Sequence, residues 1–406
     1  MNFSIEQLKE IIQKPDTHYP DVDLRKYGID IPNVKEDLVI HEDIKVSETA
    51  QRVGFKDTLK LNYLQVNEDA LYKSIEKELG KYNVKVMPLK LALEKLHLVK
   101  DLSWSLIKPI TDKYTAAAYL FGGELGYFIY VPPNTKVPIP IYTCLVITSN
   151  NKVQFAHNIA YVDEGSEAHV VTGCGVPHGI RDSVHIGISE FYVAKNAKLT
   201  FSMIHAWSRG LHVRPRTAVN VEKGGEYVSY YIIYSPVSSL QTDPLVYLSE
   251  NAKAYMASVI VGKENGIYDV GARAVLNGVN ASVEVISRVV ASNESETYAR
   301  SEIAANASNT KGHVECLGLL LSEKARISSI PTIISRNPNA KLTHEAAIGI
   351  IAQEELEYLM SKGFSENEAK AILIRGFMNI DAPGIPVSIK AEADRILDMV
   401  SKYAVG

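Results

Sequence analysis

The spacing of apolar and polar positions changes character along the chain. Between Ser4 and Gln13, Ile5, Leu8, Ile11 and Ile12 recur at helical intervals, which predicts an amphipathic helix. Pro15 to Pro32 reads as loop. Residues 64–100 look helical again: Asn67-Glu68-Asp69 supplies a start signal, Leu71, Ile75 and Leu79 one face, and a further helix fits Leu89 to His97. From Gly122 to about Leu342, short β-rich runs alternate with small turns. Tyr127 to Val131, Leu199 to Trp207 and Tyr227 to Tyr234 have the residue types of strands. After Ala346 the helical interval returns. Leu356, Leu359 and Met360 line one face before Gly363, and Ser365 to Glu368 opens a second helix with Ala369, Ile372 and Leu373. Asp381 to Pro386 reads as a turn, and Ile389 to Tyr403 as a last helix.

A turn signature repeats through the β-rich stretch, pairing Gly or Asn with a small residue and a charge. It occurs as Glu164-Gly165-Ser166, Lys195-Asn196-Ala197, Lys223-Gly224-Gly225, Glu250-Asn251-Ala252, Asn280-Ala281 and Asn337-Pro338-Asn339-Ala340. Ala197, Gly225, Ala252 and Ala281 are 28, 27 and 29 residues apart. A fixed period with strands between turns marks a solenoid, because one coil cannot bury its apolar face alone and must stack on the next. The competing architecture is a β-sandwich. The solenoid is preferred because turn chemistry repeats together with spacing. The expected organisation is a mainly helical region at 1–115, a β-helix core at 116–345 and a helical region at 346–406.

Composition narrows the function. The chain has 406 residues, 46% hydrophobic and 22% charged, which suits a globular protein with a large core. A net charge of −4 without a basic block argues against nucleic acid. No apolar run is long enough to span a membrane, and Met1-Asn2-Phe3-Ser4-Ile5-Glu6 lacks the layout of a signal peptide. Cysteines at 144, 174 and 316 form neither a disulfide framework nor a CxxC pair, so a reducing cytoplasm is expected. The P-loop, GxGxxG, HExxH and nucleophile-elbow signatures are absent.

The candidate chemistry lies between Cys316 and Phe377. Cys316 and His344 are 28 residues apart, one coil period, which predicts equivalent positions on stacked strands about 4.8 Å apart. Thiolate plus imidazole suits iron–sulfur clusters or zinc, although one chain offers too few ligands for a closed site. Glu345 neighbours His344 and would face the other side of a strand, so His344 is favoured. The plainer reading of Cys316 is a buried core cysteine, and Cys144 and Cys174 read that way too. His169, His178 and His185 surround Cys174 in sequence and form an alternative metal site. Glu315 with Glu345 is the acidic pair that a carbohydrate-active β-helix enzyme would need. The apolar face around Leu356, Met360, Ile372 and Phe377 is either a cap on the solenoid or a partner-docking surface.

Ordered motifs over about residues 62–380 resemble the SufB/SufD family of iron–sulfur cluster assembly scaffolds. They are Tyr63-Leu64-Gln65 with Ala70 to Ser74, Gly122-Gly123 with Phe128 to Pro132, Asp163 to Ser166, Gly173-Cys174-Gly175-Val176-Pro177, His344-Glu345-Ala346, and the tail Tyr358 to Phe364, Glu368-Ala369 and Arg375-Gly376-Phe377. The His-Glu-Ala form and the Tyr130-Val131-Pro132 segment look more like SufB than SufD. The resemblance implies a right-handed parallel β-helix, and a scaffold of the SUF system rather than an enzyme. It implies pairing as a homodimer or with a SufB/SufD paralogue, a SufC-type ABC ATPase on the C-terminal helices, and a transient Fe–S cluster at the subunit interface. It places Cys316 at the core cysteine of cluster assembly and His344 and Glu345 at the His-Glu pair beside it. The chain departs from SufB at Thr217 to Glu222, where no sulfur-entry cysteine stands. That departure keeps a SufD-like structural partner as the alternative.

Overall fold

In the computed structural model, residues 3–16, 20–28, 33–36, 44–55, 61–72, 79–122, 124–380, 394–395 and 397–402 are described. The chain winds into a parallel β-solenoid of about eight turns, with helices toward both ends. One sheet stacks Ile141–Val146, Glu167–Gly175, Lys198–Ala206, Glu226–Ile233, Lys253–Gly262, Ser282–Ala291, Lys311–Leu320 and Lys341–Ile350. The facing sheet runs from Tyr127–Val131 through Val153–Val162, Val184–Val193, Arg216–Val221, Leu245–Leu248, Arg273–Leu276 and Glu296–Ala305 to Arg326–Ser335. In the middle coils this sheet splits, and His212–Val213, Ser239–Thr242 and Ile267–Val270 form a third side. Pro215 and Pro244 stand at two of the breaks, where a residue without an N–H cannot continue the ladder.

The repeated turn signature has a backbone cause. Asn134, Gly165, Asn196, Gly224, Asn251, Asn280 and Asn309 occupy one corner of successive coils, all with left-handed φ between 56° and 69°. Asn and Gly tolerate that conformation best. The corners also bond to one another: the N–H of Gly165 donates to Lys195 O (3.0 Å), that of Asn196 to Lys223 O (3.0 Å) and that of Asn251 to Val279 O (2.9 Å). The small residue that follows is buried, as at Ala197, Ala252 and Ala281. Inside, the two sheets interdigitate one continuous core from Tyr63 and Tyr127 to Val314 and Cys316. Outside, Tyr130, Tyr161 and Tyr192 stack at 6.0 and 6.3 Å on successive rungs, which uses part of the tyrosine content.

The N-terminal region differs from the helical expectation for 64–100. Tyr63–Val66 and Asp69–Tyr72 form an antiparallel hairpin that extends the first sheet through pairing with Ile141–Val146. Asn67, expected to start a helix, adopts φ 52° and makes the hairpin turn instead. Leu71 is therefore in a strand, and Ile75 lies outside the described residues. The helix Ile5–Gln13 falls at its expected place; the helix expected over Leu89 to His97 ends at Lys95, and a separate helix, His97–Leu102, follows it. Lys113–Phe121 is an unanticipated helix, opened by a capping box between Asp112 and Thr115.

At the other end, Gln353–Ser361 and Glu366–Phe377 are helical, the second opened by a Ser365–Glu368 capping box. The turn expected at Asp381 to Pro386 lies outside the described residues, and the last helix is described only at 394–395 and 397–402. Leu397 and Val400 pack with Val46, Ala50, Ile374 and Met378 against the outer face of the first sheet. Among the described residues the last coil is left uncovered: Lys341–Ile350 pairs only with Lys311–Leu320, and Arg326–Ser335 only with Glu296–Ala305. Ile348 and Ile350 are 43% and 76% exposed there, and Ile330 and Ile333 are exposed as well.

Candidate functional site

Cys316 sits in the penultimate rung of the first sheet. Along Lys311–Leu320 the buried positions alternate, and Gly312, Val314, Cys316 and Gly318 face the solenoid interior. Cys316 is 1% exposed. Its neighbour on the preceding rung is Ser287, which accepts a hydrogen bond from the Ser258 hydroxyl one rung further back (3.0 Å). Burial pushes the Cys316 thiol up, and the nearby Glu315 carboxylate adds to this, while the Ser329 hydroxyl from the opposite sheet and the Arg288 guanidinium pull it down. The net effect is a thiol pKa raised above its ordinary value, which disfavours the thiolate.

The coil register corrects the spacing argument. The last coil is 30 residues long, so the residue beside Cys316 is Ala346, and His344 stands beside Val314. His344 keeps the inward-facing parity of Cys316 but is two positions away along the strand. Glu345 stands beside Glu315 on the outer face, where Arg288 forms an ion pair with Glu315. The structure thus brings Cys316 and His344 to one face of the last two rungs and puts Glu345 on the other. Among the described residues, no group of three or more His, Cys, Asp or Glu side chains could hold a metal ion.

The alternative site around Cys174 disperses. His169 bonds Ser202 (3.1 Å), exposed His178 faces Glu48 (3.3 Å), and His185 bonds Gln154 (2.9 Å). His185 and His205 instead form an interior aromatic cluster with Trp207, where burial lowers both imidazoles. Of the C-terminal residues, Leu356 is buried and Phe377 packs on the solenoid-side cluster, while Met360 and Ile372 are each 43% exposed. Tyr358 and Phe364 are also exposed. Sequence reading passed over Ser287, Arg288 and Ser329 around the thiol. Ser287 alone had a signal, lying one 29-residue coil before Cys316.

The fold and site define a β-solenoid whose last coil is bare among the described residues, with a single thiol, Cys316, beneath that end. That description meets its relatives directly. The model of the SUF system FeS cluster assembly SufBD core domain matches residues 145–377. An iron–sulfur cluster assembly SufBD family protein of Archaeoglobus fulgidus is 44% identical over 340 residues, covering 84% of this chain and 90% of the relative. One from Methanothermobacter thermautotrophicus is 36% identical over 397 residues, covering 94% of both chains, and one from Pyrococcus horikoshii is 30% identical over 371 residues, covering 91% and 81%. The chain belongs to the SufBD family of iron–sulfur cluster assembly proteins.

Proposed function

We propose that this chain is a non-catalytic scaffold on which a transient Fe–S cluster is built at the bare end of the solenoid, between two subunits. The observation that carries the reading is the coincidence of Cys316 and inward-facing His344 with strand edges left free among the described residues, and with exposed isoleucines, at that end. Unpaired edges and apolar patches are ready surfaces for another chain. One thiol and one imidazole per chain are too few for a cluster that normally takes four protein ligands, so a second subunit, a copy or a SufB/SufD paralogue, completes the set. Glu345, on the outer face, serves at the rim of that interface. A raised thiol pKa suits a cargo site that must also let its cluster go, since ligation requires losing the proton.

The C-terminal helices dock a SufC-type ABC ATPase. Met360 and Ile372, with Tyr358 and Phe364, offer the contact face, while Leu356 and Phe377 hold the helices in place. Among the described residues no helix is long and apolar enough to cross a membrane, and three buried free cysteines suit the cytoplasm.

Anaerobic reconstitution with iron and sulfide tests the scaffold. Wild type with the ATPase should develop a sulfur-to-iron charge-transfer band, and Cys316→Ser should lose it. An equal band in Cys316→Ser would overturn the assignment. ATPase binding that survives deletion of residues 352–406 would remove the docking assignment. The absence of cysteine from Arg216–Val221 supports a second reading, a SufD-like structural partner. Co-purification with a cysteine-richer homologue and no cluster on this chain would favour it.

A further inference from the structure

A cavity of about 750 Å³ lies in the N-terminal region, far along the chain from Cys316, and its back wall is built at a cost in backbone strain. Trp104 forms that wall with φ 59°, a left-handed conformation in which a bulky side chain is an outlier. What holds it there is Glu190, a fully buried carboxylate in Val184–Val193. Glu190 accepts the backbone N–H groups of Trp104 (2.6 Å), Leu106 (2.6 Å) and Ile107 (3.0 Å), and it pairs with buried His157 (2.8 Å). The indole packs at a tilt of 48° on the His157 ring, with centroids 4.4 Å apart, and meets Tyr119 edge-on at 5.3 Å. Strained residues persist where the surroundings over-determine them, and they concentrate at ligand clamps.

The rest of the lining gives the chemistry. Phe3, Trp104 and Tyr119 supply aromatic surface, and Lys100 and Lys108 supply charge. The lining also carries two carboxylates: Asp101 lies 3.8 Å from the His97 ring, and Glu124 lies 4.0 Å from the Lys90 ammonium. Among the described residues neither Lys100 nor Lys108 has a carboxylate partner, and Lys108 donates instead to the Ser105 carbonyl (2.6 Å). A planar ring beside two ammonium groups that bond no carboxylate among the described residues suits a planar ligand with an anionic arm. The cavity is within the usual size of small-molecule sites.

We propose that this cavity binds a nucleoside monophosphate, with the base on Trp104 and Tyr119 and the phosphate at Lys100 and Lys108. The site is independent of the cluster-assembly reading. The chain has two tryptophans, Trp104 and Trp207; Trp207 is fully buried in the solenoid, and in Trp207→Phe the remaining tryptophan emission comes from the cavity. The full chain is titrated with adenosine 5′-monophosphate and guanosine 5′-monophosphate by fluorescence and calorimetry, beside adenosine and inorganic phosphate. Saturable quenching by the nucleotides is expected, with adenosine roughly tenfold weaker and phosphate giving no quenching. Trp207→Phe should keep the quenching. Lys100→Ala and Tyr119→Ala, with folding verified by circular dichroism, should each weaken binding roughly tenfold. No saturable heat or quenching up to millimolar nucleotide, or unchanged affinity in the Lys100→Ala/Tyr119→Ala double variant, would overturn the proposal.

Discussion

Replacing Ala346 with cysteine tests the register that decides what stands next to Cys316. Neighbouring strands place the two Cα atoms about 4.8 Å apart, inside the roughly 4.4–6.8 Å that a disulfide spans. Both side chains face inward, and Ala346 lies in the last rung, whose other edge pairs with no strand among the described residues, so the strand can adjust. His344 is displaced by two residues, which puts its Cα about 8 Å from that of Cys316, beyond the reach of a disulfide without backbone movement. Oxidised Ala346→Cys should therefore form a Cys316 crosslink, and His344→Cys should not. Closing a 30-residue loop restricts the unfolded chain by about 3.6 kcal/mol in the chain-entropy model, and the typical measured gain is about 2–4 kcal/mol. Peptide mapping after thiol blocking detects the bond, and denaturant unfolding with and without reductant measures the gain. A crosslink in His344→Cys and none in Ala346→Cys would refute the register and restore a 28-residue last coil.

Three further outcomes follow from buried polar groups and turns. Glu190→Ala removes the partner of buried His157 and of three backbone N–H groups, and should cost about 3–5 kcal/mol in urea unfolding; a loss under about 1 kcal/mol, the worth of a surface ion pair, would contradict the geometry. Burial pushes His169 and His185 down to about 3 and His212 to about 4, and lowers His205 as well. Depressed folded-state values mean that unfolding takes up protons, so this stability is full above pH about 6.5 and falls below it, by up to about 1.4 kcal/mol per pH unit for each histidine. Unfolding curves at pH 7 and 5 measure it, and equal stability at both would show these imidazoles are not held neutral. Asn251→Val forces a β-branched residue to φ 57° and should cost about 1–2 kcal/mol, while Asn251→Gly should be nearly neutral; equal losses in thermal unfolding would deny the turn its left-handed strain.

Much of the fold was legible because a solenoid writes its period into its turns. Each coil must return the chain through the same left-handed corner, so Gly165, Asn196, Gly224, Asn251 and Asn280 repeat with the coil. The capping boxes and helix faces after residue 352 are equally local, and so were readable. The failures came where local signals were ambiguous. Asn67-Glu68 can start a helix or turn a hairpin, and what decided was the open sheet edge at Ile141–Val146, which Tyr63–Val66 pairs with.

The sequence by itself determined the repeating corner, the stacked-coil architecture and the family motifs, because these depend on backbone preferences within a few residues. It did not determine the partners across coils. Coil length varies from 27 residues to 31, so spacing alone set His344 beside Cys316, whereas the hydrogen-bonded register sets Ala346 there. Nor could it show that Glu190 reaches back 86 residues to hold Trp104 in a strained conformation. Which strand edges stay free among the described residues was settled in three dimensions, because an edge is exposed or covered according to what packs on it, and no residue carries that information alone.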